Sequence, residues 1–115
     1  MSAIGKGQRA SGADARDFMT LREVVEQLDR LDSDQTIYAA GGGDAGPESA
    51  ALVAMSPEDG ALPDAAKGLA YLLEVDEARE VVKVWRSWRD GAEPNTEQKV
   101  QAITHYAKHD AYLPV

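Results

Sequence analysis

No cysteine occurs among the 115 residues. That absence excludes disulfides, thiolate nucleophiles and cysteine-type zinc sites together, and it fits a reducing compartment. Long apolar runs are also missing: nothing approaches the roughly 18 consecutive apolar residues that a membrane span requires. Met1 to Gly12 lacks the apolar segment of a secretory leader, so the expected location is the cytoplasm, without membrane association. Basic side chains are scarce, with 12 Lys and Arg against 20 Asp and Glu and a net charge of −8. Such a balance repels nucleic-acid phosphates. Large apolar side chains are fewer than the 43% hydrophobic content suggests, because 19 of those residues are alanine.

The length of 115 residues corresponds to one domain. Residues 1–17 hold Ile4 as their one large aliphatic side chain and read as a flexible extension; residues 18–115 read as the domain. Gly5 to Gly7 (Gly-Lys-Gly) is not a phosphate loop, since it lacks a preceding strand and a following Lys-Ser/Thr helix start.

The domain is organised around Leu69 to Arg89. Tyr71, Leu73 and Val75 alternate with Leu72 as in a strand buried on both faces. Asp76 is the expected N-cap of a helix in which Ala78, Val81, Val82, Trp85 and Trp88 form one face. Upstream, Thr20 and Glu23 have capping-box spacing before Leu21, Val24, Val25, Leu28 and Leu31, with Met19 and Val24 as a hydrophobic staple. Arg22–Glu26 and Glu26–Arg30 are expected i,i+4 pairs. Thr36 to Ala40 and Ala50 to Met55 read as strands joined by the glycine-rich loop from Gly41 to Pro47. Ser56 to Gly60 is a turn, and Leu62 to Lys67 a single helical turn. Asn95 or Thr96 caps the last helix, with Val100, Ile103, Tyr106 or Ala107, and Asp110 along one side, and Pro114 stops the chain's regular structure. The expected class is α+β: three helices on one face of a two- to three-stranded antiparallel-leaning sheet, in the order helix-strand-strand-strand-helix-helix.

Tyr71 to Val75, Ala78 to Glu80, Trp85, Pro94, Thr96-Glu97, Tyr106 and Asp110 to Pro114 together resemble a small bacterial α+β domain family with no assigned activity. The similarity covers about residues 20–115. Domains of this general kind also resemble the immunity proteins of bacterial toxin systems, a likeness that implies binding rather than catalysis.

Charge supplies the leading functional expectation. Residues 23–64 hold ten acids against one base, Arg30. Such a surface steers a basic protein partner toward it, and the expected contributors are Glu26, Asp29, Asp32, Asp34, Asp44, Glu48, Glu58 and Asp59. The alternative is acidity that serves solubility alone. A second expectation is a self-associating accessory or structural protein, a homodimer using Trp88, the basic stripe Arg79, Lys83 and Arg86, and the C-terminal tail; pairing of that stripe with nearby acids is the competing reading. A third is a ligand-binding domain or enzyme built on Tyr106, Asp110 and Tyr112, against a polar latch holding the C-terminal tail. His105 and His109 have i,i+4 spacing but no general-base Glu between them, and Lys108 adds charge beside them, so they are expected to face solvent, with no metal. The Gly41–Gly46 loop with Asp44 lacks the alternating acids of a calcium loop. No catalytic constellation or cofactor fingerprint is present, so a binding protein is expected ahead of an enzyme.

Overall fold

The computed structural model describes residues 18–57 and 62–114. The expected extension 1–17, the tip of the Ser56–Gly60 turn, and Glu58 and Asp59 lie outside them. The chain runs β1 (Met19–Thr20), α1 (Leu21–Glu26), β2 (Thr36–Ala39), β3 (Ala50–Ala54), β4 (Ala70–Glu74), α2 (Val75–Ser87) and α3 (Thr96–His109). Three-residue 3-10 turns lie at Leu28–Arg30, Gly42–Asp44 and Asp64–Ala66. The four strands form one antiparallel sheet in the order β1-β3-β2-β4, so the domain is α+β, with four strands where two or three were expected and with β1 ahead of the first helix.

Local chemistry sets the helix starts. The Thr20 hydroxyl accepts from the Glu23 N–H at 3.1 Å, and the Thr20 N–H donates to the Glu23 carboxylate at 2.8 Å. Asn95 and Gln98 exchange the same two bonds at 2.8 Å each. These reciprocal bonds satisfy donors that a helix end leaves without partners. Helix α1 stops after Glu26, where Gln27 takes φ −109° and a 3-10 turn follows. That break prevents the expected Glu26–Arg30 pairing, and Arg22 turns instead to Glu48 and Glu97.

Two expectations about the central stretch are corrected. The strand enclosed on both sides is β2, whose four residues are all buried; β4 is an edge strand, with Tyr71 51% exposed. Its pairing passes from Ile37↔Leu73 to Tyr38↔Tyr71, which leaves Leu72 as an extra residue. That irregularity bends the strand and lets Leu72 and Leu73 both enter the core. The helix also begins earlier than Asp76: Glu74 is the N-cap, and its N–H donates to Glu77 at 3.4 Å.

The period-two alternation of strands divides the apolar residues between two sides of the sheet. Ile37, Ala39, Ala51 and Val53 meet Leu21, Val24 and Val25 of α1, Val81, Val82 and Trp85 of α2, and Val100 and Ile103 of α3. On the other side Tyr38, Leu52, Ala50 and Ala54 pack with Phe18, Ala66 and Leu69, under the loop that carries the third 3-10 turn. The Tyr38 hydroxyl meets the Ser56 hydroxyl at 2.9 Å. The glycine-rich loop turns back through Gly41 at φ +88°, a left-handed conformation that a side chain disfavours. It lies against α3: a Cβ built on Gly43 would stand 2.8 Å from the Lys108 Cβ.

Candidate interaction surface

The acidic residues separate into two groups. Asp44 and Glu48 have local counter-ions: Lys108 Nζ lies 2.6 Å from Asp44 Oδ1, and the Arg22 guanidinium binds Glu48 Oε2 at 2.8 Å through Nη2 and 3.0 Å through Nε. Lys108 accordingly holds the Asp44 carboxyl below the usual carboxylate range, and Glu48, with Glu97, raises the Arg22 guanidinium above its ordinary value. Glu26, Asp32 and Asp34 are exposed and form no ion pair among the described residues. Asp29 is also exposed; among the charges acting on Arg86 it comes after Glu93, the principal partner.

The chain brings further acids to this end of the molecule. Arg79 of α2 donates to the Leu28 carbonyl at 3.2 Å through Nε and 3.0 Å through Nη2, and also to the Leu31 carbonyl. The Val75 N–H donates to the Gln35 carbonyl at 2.9 Å. These bonds fasten the first turns of α2 to the segment 28–35, so the exposed Asp76 and Glu80 belong to the same end as Asp29, Asp32 and Asp34. Neither was among the expected contributors. Their signal was available in the helical spacing of Asp76 and Glu80, but their neighbours were not, since the contact joins segments about 50 residues apart in sequence.

The basic stripe does not act as a unit. Arg79 caps the carbonyls after α1, and Arg86 forms a two-bond pair with Glu93 at 3.0 and 2.8 Å. This pair lowers the Glu93 pKa from its ordinary value. Lys83 is exposed. A shallow polar cleft of about 50 Å³ lies between Glu26 and Asp29 on one side and Arg79, Arg86 and Lys99 on the other, room for about one or two water molecules.

At the C-terminus the contacts of Tyr112 are aromatic. Tyr112 meets Tyr106 at 5.1 Å between ring centres and Trp88 edge-on at 5.8 Å. Arg89 lies over the Trp85 ring at 4.3 Å and donates to the Pro114 carbonyl at 3.0 Å. Trp85 is 8% exposed and Trp88 48% exposed, which places one in the core and leaves the other half in solvent. Asp110 is the exposed residue that ends α3 in a left-handed conformation at φ 55°, and its N–H donates to the Tyr106 carbonyl at 2.8 Å. Tyr106 is raised from its ordinary pKa by partial burial first, then by Tyr112, Asp110 and Glu77. Tyr71 is pushed up to about 12, by burial first and then by Glu77 and Glu74. Its hydroxyl donates to Glu77 at 3.4 Å. His105 and His109 stand with ring centres 4.5 Å apart. Among the described residues no three His, Cys, Asp or Glu side chains converge to hold a metal ion, and no helix is long and apolar enough to cross a membrane.

A small α+β domain with helices packed on one face of a four-stranded antiparallel sheet is the class that the fold defines. The chain belongs to the family described as a domain of unknown function (DUF7716), whose match covers residues 18–115. No curated protein and no solved structure matches it.

Proposed function

We propose that this protein is an acidic binding module that engages a basic protein partner, in the manner of immunity proteins that neutralise a toxin or nuclease in the cytoplasm. The observation that supports this reading is that Asp32 and Asp34 are exposed, lack ion pairs among the described residues, and lie with Asp76 and Glu80 at the end where α2 is fastened to the turn after α1. Arg30 is exposed in the same segment, and Glu26 and Asp29 share their cleft with Arg79, Arg86 and Lys99. Asp44 and Glu48 contribute less than the sequence suggested, because Lys108 and Arg22 offset their charge. Clustered charge of one sign accelerates encounter with an opposite surface and weakens with salt. A side chain already paired within the fold adds little to that field.

The test is affinity capture from the source cell, with the partner identified by mass spectrometry. The wild-type protein should retain a basic partner at low ionic strength and release it at high ionic strength. A variant carrying Glu26→Gln, Asp29→Asn, Asp32→Asn and Asp34→Asn should lose it, whereas Asp44→Asn with Glu48→Gln should keep it. Equal capture by the four-fold variant refutes the reading. Self-association retains one supporting observation, the half-exposed Trp88 against Tyr112; light scattering of wild type and Trp88→Ala at micromolar concentration separates it from the first.

A further inference from the structure

We infer that His105 and His109 form a two-imidazole chelate for a divalent transition-metal cation that prefers right-angled coordination, copper(II) or nickel(II). Both belong to the last turns of α3, one turn apart, and their ring centres are 4.5 Å apart with the planes tilted by 44°. With a metal–nitrogen bond of about 2.0–2.1 Å, an ion bound end-on lies about 3.2 Å from each ring centre. For two rings that both bind end-on at their present spacing, centres 4.5 Å apart subtend roughly 90° at that ion. This angle suits square-planar or octahedral ions better than the tetrahedral preference of zinc.

The surroundings permit the charge. His109 is exposed and His105 half-buried, so an ion has access from solvent. Lys108, the cation closest in sequence, is paired with Asp44, with its Nζ 2.6 Å from Asp44 Oδ1, which offsets its charge. The exposed Asp110 follows directly along the chain. The negative end of the α3 dipole lies at the same place. Two protein ligands leave the remaining coordination positions to water or to a further group.

The test is calorimetric titration of the full chain with nickel(II) and with zinc(II), repeated on His105→Ala and on His109→Ala. Nickel should bind in one equivalent per chain, more tightly than zinc, and each variant should weaken it at least tenfold. Far-UV circular dichroism of the variants should match the wild type, since His109 is exposed and His105 only half-buried. With copper(II), electron paramagnetic resonance should show two coordinating nitrogens in the wild type and one fewer in each variant. Nickel affinity within threefold of wild type in both variants, or a copper spectrum unchanged by either substitution, overturns the assignment.

Discussion

Replacing Arg79 tests how the acidic end is held in place. Its guanidinium is the charged donor to the carbonyls of Leu28 and Leu31, which end the first helical segment without continuing α-helical bonds. A hydrogen bond from a charged group contributes about 1.5–3 kcal/mol. The Leu28 carbonyl keeps a second donor, the Leu31 N–H at 3.3 Å, and Arg79 is only half-buried, so water replaces part of what is removed. Arg79→Met, which retains the aliphatic stem, should therefore cost about 2–3 kcal/mol. For a domain of this size that lowers the melting temperature by roughly 10–20 °C. Arg79→Lys should recover about half, because one ammonium does not reproduce the planar fork that spans both carbonyls. Lys83→Met, one turn further along and exposed, should change stability by less than about 0.5 kcal/mol. Urea unfolding followed by circular dichroism and by tryptophan fluorescence measures all three. Arg79→Met within about 0.5 kcal/mol of wild type would refute the reasoning: the fork would then be ornament on a junction held by apolar packing alone.

Trp85→Ala should cost about 3–5 kcal/mol and Trp88→Ala about 1 kcal/mol or less in the same assay, because truncation of a buried aromatic removes transfer energy and leaves a cavity. Gly43→Ala should destabilise by about 1–3 kcal/mol through collision with Lys108, whereas Gly46→Ala, whose Cβ meets nothing within 4 Å, should be tolerated. The Asp44 pKa is lowered in the fold by Lys108, so its contribution is present above the unfolded carboxylate value and lost as pH falls through the folded one; Asp44→Asn should flatten the acid limb of stability against pH. Tyr71 has the opposite sign: raised to about 12, it contributes below the unfolded tyrosine value of about 10 and loses that contribution as pH rises toward 12. An ultraviolet titration should show a tyrosine that ionises near pH 12 and is lost in Tyr71→Phe.

Much of the secondary structure was legible because its causes are local. The Thr20–Glu23 and Asn95–Gln98 boxes each close within three residues, and the apolar spacing around Val81, Val82 and Trp85 identifies one helix face whatever it packs against. The position of β4 was not legible. A run of Tyr71, Leu72, Leu73 and Val75 has the composition of a central strand, and only the extra residue at Leu72 lets an edge strand bury two adjacent leucines. The two-residue β1 was missed for a similar reason: Met19 and Thr20 pair with Ala51 and Ala50, and so short a segment has no period of its own.

The candidate surface follows the same division. The chain by itself determined that acids outnumber bases and that they concentrate between residues 23 and 64, since charge is a property of composition. Which carboxylates remain unpaired was decided only when folding brought Arg22 to Glu48 and Glu97, and Lys108 to Asp44, across separations of 26, 75 and 64 residues. Helix caps act within one turn and need no knowledge of topology. Ion pairs and strand neighbours depend on which distant segments the hydrophobic core draws together, and that arrangement exists only in three dimensions.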